Sequence, residues 1–150
     1  MIKKKIINDP VYGFITIPSE LIYEIISHPY FQRLRHIKQL GLSHYVYPGA
    51  LHTRFQHALG AMHLMGKVLD HFRLKGIEVS SEEYEASQIS ILLHDIGHGP
   101  FSHTLENVLL SGIKHESLSY LFINTLNEAL NGALDLSLQI FRNSYSRKFF

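Results

Sequence analysis

A chain of 150 residues, 45% apolar and 18% charged, is long enough for one folded core and is neither disordered nor membrane-like in composition. Its net charge of +1 argues against a large nucleic-acid footprint while leaving a small one open, and no apolar run approaches the roughly 20 residues that span a bilayer. With no cysteine, disulfides and thiolate metal sites are excluded; Lys3-Lys4-Lys5-Ile6-Ile7 is too short for a signal peptide, and the chain is read by default as cytoplasmic.

Residues 2–17 place the turn formers Asn8-Asp9-Pro10-Val11-Tyr12-Gly13 between two β-branched runs, which predicts a short hairpin. Pro18-Ser19 opens a helix with Leu21, Ile22, Ile25 and Ile26 on one face, and Pro29 ends it. A second helix is predicted over 30–40, with Gly41 as its stop and Gln32, Arg33, Arg35, Lys38 and Gln39 on a polar face that reads first as solvated. Residues 42–52 read as a loop. Thr53 to Gln56 fits a capping box, followed by a helix to about Phe72 that sets Ala58, Ala61, Met62, Met65, Val68, Leu69 and Phe72 near helical spacing. Ser80 to Glu83 fits a second box, and the helix it opens carries Ala86, Ile89, Leu92 and Leu93 into His94-Asp95. Further helices are predicted over 102–110, 115–130 and 133–142, separated by Gly112 and by Asn131-Gly132. The class is therefore all-α with a small N-terminal β-hairpin.

Eleven histidines are many for such a chain, and most read as surface or packing residues; only clustering gives a chemical meaning. The cluster is His94-Asp95-Ile96-Gly97-His98-Gly99-Pro100-Phe101-Ser102-His103, directly after a buried apolar helix. An adjacent His and Asp can chelate one metal if the helix end is turned toward it, and the partial negative charge of a helix C-terminus favours a cation. The glycines let the backbone pass close to a ligand. They do not form a P-loop, because the Gly-Lys-Ser/Thr ending is absent.

Read together with Arg54-Phe55-Gln56-His57-Ala58-Leu59-Gly60, this pattern resembles the HD-domain metal-dependent phosphohydrolases, and most closely their deoxynucleoside triphosphate triphosphohydrolase branch. The resemblance runs through Ile7-Asn8-Asp9-Pro10-Val11-Tyr12-Gly13, the segment Phe31-Gln32-Arg33-Leu34-Arg35-His36-Ile37-Lys38-Gln39-Leu40-Gly41, Tyr47-Pro48-Gly49-Ala50, and Lys114-His115-Glu116. It implies one HD domain over 1–150. It assigns His57, His94 and Asp95 as ligands of a divalent metal, with Fe, Mn, Ni or Zn suited to a mixed nitrogen and oxygen site and Mg also admitted.

The resemblance further implies a nucleotide substrate, water attack at the α-phosphorus, and release of tripolyphosphate and a deoxynucleoside. His115 is assigned as general acid and His103 to phosphate contact, since imidazoles titrate near neutrality. Glu106 would orient one of these histidines, and His98 would support the ligands or touch phosphate; for both, a loop hydrogen bond or a helix cap is an equal reading. Arg54 would neutralise phosphate charge with its fork of donors, and Gln39 would bond the sugar. The resemblance also leaves room for Arg33 and Arg35 in a second nucleotide site or an oligomer contact.

One departure stands out. The family's fourth ligand is an Asp on a later helix in a segment rich in Asp and Tyr, and no such segment occurs here; Asp135 reads instead as a helix N-terminal carboxylate. Weakened metal binding, with water, buffer or a neighbouring chain filling the gap, or an empty site, is expected. Phe149-Phe150 ends the chain on apolar side chains, which points to the N-terminal part of a longer protein and to self-association. Two other functions remain open at this point: hydrolysis of another nucleotide or phosphoester, and a non-catalytic nucleotide- or nucleic-acid-binding regulator.

Overall fold

A computed structural model describes residues 5–101 and 115–146, without the side chains of 145 and 146. The fold begins with an antiparallel hairpin, β1 (Lys5–Asp9) and β2 (Gly13–Ile17), in a register that pairs Lys5 with Ile17 and Asp9 with Gly13. Asp9 makes the turn: its Oδ1 accepts from the backbone N–H of Val11 at 2.8 Å and of Tyr12 at 2.9 Å. Gly13 follows at φ +72°, a conformation that L side chains rarely adopt. Alternation then sends Ile15 and Ile17 into the core and Phe14 and Thr16 to solvent.

Helix α1 (Glu20–Ser27) is capped by Ser19 and buries Ile22, Ile25 and Ile26, as its spacing predicts. The next helix is shorter than predicted. Helix α2 (Pro29–Gln32) tightens into a 3-10 turn, Arg33–His36, and Ile37 is already extended. The competing interaction is long-range. Lys38 bridges Thr53, Gln39 N–H donates to His52 O at 3.0 Å, and Arg54 N–H donates to Ile37 O at 2.9 Å. Those bonds satisfy backbone groups that would otherwise have continued the helix. Gly41, at φ +55°, is thus a turn residue rather than the stop of a helix reaching residue 40.

Both predicted capping boxes are formed. Thr53 and Gln56 cap α3 (Arg54–Leu74), and Ser80 and Glu83 cap α4 (Ser81–Leu93). Helices α5 (His115–Ala129) and α6 (Asp135–Ser146) follow, with α6 starting two residues later and running further than its predicted span. Helix α4 lies between α3 and α6, so both sides of it are covered; Ile89, Leu92 and Leu93 are buried with Ala58, Leu59 and Met62 of α3 and Phe141 of α6. Burying each such leucine contributes roughly 1.5–3 kcal/mol. The far half of α3 departs from its predicted apolar face, because Val68 and Phe72 stay 46% and 40% exposed. The predicted helix over 102–110 lies outside the described residues, as do His103 and Glu106. No helix among the described residues is long and apolar enough to cross a membrane.

Candidate metal centre

Two helix ends meet at the centre. The Thr53–Gln56 box fixes the start of α3, so Arg54 and His57 occupy its first turn. Helix α4 stops at Leu93, and its C-cap is His94. The chain then turns tightly through Asp95, Ile96, Gly97 and His98, with Ile96 N–H bonded to Leu93 O and His98 N–H to Asp95 O, both at 3.1 Å. One ligand atom each from His57, His94 and Asp95 lies within 4.8 Å of the others.

The donor atoms suit a cation. His94 Nδ1–H donates to Ile91 O at 2.5 Å, which leaves its Nε2 as the acceptor nitrogen. That Nε2 faces His57 Nε2 at 3.3 Å and Asp95 Oδ1 at 3.3 Å; His57 Nε2 is 3.7 Å from Asp95 Oδ2. Two imidazole nitrogens and a carboxylate turned toward one point form a mixed set that Fe, Mn, Ni or Zn can share.

Charge is arranged around Asp95. Arg54 is only 3% exposed and donates from Nη1 to Asp95 Oδ2 at 2.6 Å, while His98 Nε2 lies 3.5 Å from Asp95 Oδ1. Burial pushes the Asp95 carboxyl up, but the contact with His98 and the charges of His94 and Arg54 outweigh it and hold the carboxyl well below the usual range. Burial pushes the His57 and His98 imidazoles down; His94 adds to this at His57, and Asp95 opposes it at both. Neutral imidazoles and an ionised carboxylate are the forms that bind metal.

The other sequence-assigned residues are placed as follows. His115, the first residue of α5, stacks on His98 with ring centroids 4.1 Å apart and has Nδ1 3.5 Å from Glu116 Oε2. Gln39 stands on the bridged strand beside His52, its Oε1 buried without a hydrogen-bond partner. Asp135 sits in the first turn of α6 and accepts from Asn127 Nδ2 at 2.7 Å, as a helix N-terminal carboxylate does.

Arg33 and Arg35, the candidates for a second nucleotide site or oligomer contact, both make contacts within the chain. Arg33 donates to the carbonyls of Ile96 and His98, and Arg35 lies 3.7 Å over the Phe55 ring and donates to Gln32 at 2.8 Å. Sequence reasoning also missed Ser119, which donates to His94 O at 3.0 Å and accepts from Gly97 N–H at 2.9 Å. The only sequence signal for Ser119 is its helical spacing from His115, four residues earlier.

Comparisons with known proteins bear on this geometry. The HD-domain family profile matches residues 54–145. The deoxynucleoside triphosphate triphosphohydrolase SAMHD1 of Homo sapiens is 46% identical over 104 residues, covering 68% of this chain and 16% of that protein. Its Xenopus laevis counterpart is 42% identical over 123 residues, covering 77% of this chain and 19% of that protein. The uncharacterized protein YwfO of Bacillus subtilis is 40% identical over 106 residues, or 71% of this chain and 24% of that protein. A phosphohydrolase crystal structure from Bacteroides thetaiotaomicron superposes with a TM-score of 0.92 at 52% identity, covering 98% of this chain and 36% of that one. The chain thus spans 16% to 24% of the length of these three relatives.

Proposed function

This chain belongs to the HD-domain family, and on that premise we propose that it carries the metal centre of a phosphohydrolase that cleaves deoxynucleoside triphosphates to deoxynucleoside and tripolyphosphate. The observation that supports this most is the convergence of His57, His94 and Asp95, on two helix ends, in a chain whose similar relatives carry the triphosphohydrolase name. When bound, a divalent cation supplies Lewis-acid chemistry, polarising a phosphoryl oxygen and acidifying water.

The chain's own residues then have distinct tasks. Water adds to the α-phosphorus and releases a proton to solvent, the bond from phosphorus to the sugar oxygen breaks, and that oxygen takes up a proton. His115 is the donor of this proton; its stacking on His98 holds the imidazole edge in a defined place. Arg54 steadies the Asp95 carboxylate and adds positive charge where phosphate oxygens gather. His98 keeps Asp95 ionised. Gln39, with a buried carbonyl oxygen that makes no hydrogen bond, offers an acceptor for a sugar hydroxyl. His103 is assigned to phosphate and Glu106 to orienting a histidine.

The test is product analysis. The protein is incubated with each deoxynucleoside triphosphate and Mn(II), Fe(II), Ni(II), Zn(II) or Mg(II), and the products are separated by anion-exchange chromatography. Tripolyphosphate with an equal amount of deoxynucleoside is expected. Orthophosphate instead would mean cleavage of the terminal anhydride and contradict attack at the α-phosphorus; no product from the triphosphates, with orthophosphate released from deoxynucleoside monophosphates, would move the substrate to another phosphoester; and tight nucleotide binding with no product under any metal would make the centre regulatory.

A further inference from the structure

We propose that Arg33 is a positioning residue of the metal centre: its guanidinium fork fixes the backbone of the turn that presents His94, Asp95 and His98. The inference rests on the metal-dependent function proposed above. Arg33 leaves the 3-10 turn Arg33–His36 and reaches residues 63 and 65 positions away in sequence. Nη1 donates to His98 O at 2.8 Å, and Nη2 donates to Ile96 O. These two carbonyls flank Gly97, so one planar group spans the turn directly after Asp95.

The turn is fastened again by α5. Ser119 Oγ links Gly97 N–H to His94 O, at 2.9 and 3.0 Å. A Cβ at Gly97 would lie 2.2 Å from Ser119 N and 2.5 Å from His115 O, so the turn has no room to move toward α5. Held by Arg33 on two carbonyls and by Ser119 between them, residues 94–98 have one backbone path. The orientation of the ligands follows from that path.

Stability alone does not explain an arginine here. Its Nε is buried with no hydrogen-bond partner, and burial pushes its pKa down. A half-buried cation with an unmet N–H carries a desolvation cost, set against its contact with the Phe122 ring, 4.7 Å from the guanidinium carbon. An apolar side chain cannot bond two carbonyls. Lysine offers one ammonium point and cannot reproduce a fixed two-pronged fork. The fork is therefore what the position requires, and what it grips is the backbone between a metal ligand and His98.

The experiment titrates the metal-free protein with Co(II) and reads affinity and the visible d–d absorption band, which reports ligand geometry. Wild type is compared with R33M, R33K and, as the marker of the site, H57A. Both Arg33 variants are expected to keep helical circular dichroism and a cooperative melt. Their Co(II) affinity is expected to fall by roughly tenfold or more, the scale seen when groups that orient metal ligands are removed, with an altered band. Retained charge in R33K does not rescue either readout. A folded R33M or R33K with wild-type affinity and band overturns the inference. So does the loss of cooperative melting in both, since Arg33 would then hold the fold rather than the turn. Co(II) binding that is absent in wild type, or unchanged in H57A, brings down the metal centre and the role of Arg33 with it. Binding lost in H57A but intact in R33M brings down only the role of Arg33.

Discussion

Asp95 is placed for two tasks at once: its carboxylate can offer oxygen to a cation, and it pairs with Arg54. Both side chains are nearly out of solvent, and 2.6 Å separates them. Removing one member of such a buried pair strands the other in low dielectric, which typically costs about 3–5 kcal/mol. Asp95→Ala is therefore expected to destabilise the metal-free protein by that amount in urea unfolding. Asp95→Asn, whose amide oxygen still accepts from Arg54, should lose much less stability while abolishing metal binding. Equally large losses in the two variants would mean that Arg54 requires the charge of the carboxylate and not merely an oxygen acceptor.

At the scale of elements, the site depends on how two helices end. The capping box at Thr53 sets the first turn of α3 and with it His57, whereas the box at Ser80 lies at the opposite end of α4 from His94. Thr53→Ala and Ser80→Ala should each cost about 1 kcal/mol. Only Thr53→Ala should also weaken metal binding, as measured by isothermal titration; equal effects on affinity would uncouple the cap from the ligand. These boxes were legible in the sequence because a cap is a local bond between residues three apart, and the Asp9 turn of the hairpin was legible for the same reason. The run from an apolar helix into His94-Asp95 was legible as well, since periodicity and motif coincide there. The early end of α2 was not, because the bridge from Lys38 to Thr53 joins segments that no local pattern links. The contacts of Arg33 were not legible either, for a related reason. A guanidinium that bonds backbone carbonyls leaves no side-chain signature at the residues it holds, so it looked like any exposed basic residue.

For the whole molecule, the histidines tie stability to pH. His57 and His98 are both harder to protonate in the folded chain than in the unfolded one, where imidazole titrates near 6.5. The unfolded state therefore binds more protons as pH falls, and stability of the metal-free protein declines below about pH 6.5. Asp95 acts in a separate window. Its carboxyl is held low, so its contribution is present above the ordinary carboxylate pKa of about 4 and is lost only in stronger acid. Thermal melts of the metal-free protein should show the first loss between about pH 6.5 and 5, and His57→Ala combined with His98→Ala should remove it; a flat profile there in wild type would contradict the placement of these rings. A metal that binds only the folded state should raise the melting temperature above pH 7, where both imidazoles are neutral. Everything proposed for this molecule requires that the ends of α3 and α4 share one cation. The most direct measurement is anomalous diffraction at the zinc edge from a crystal soaked in Zn(II). A single peak is expected about 2.1 Å from a nitrogen of His57, a nitrogen of His94 and an oxygen of Asp95; no peak there, or a peak that engages His94 and Asp95 but leaves His57 out, would contradict it.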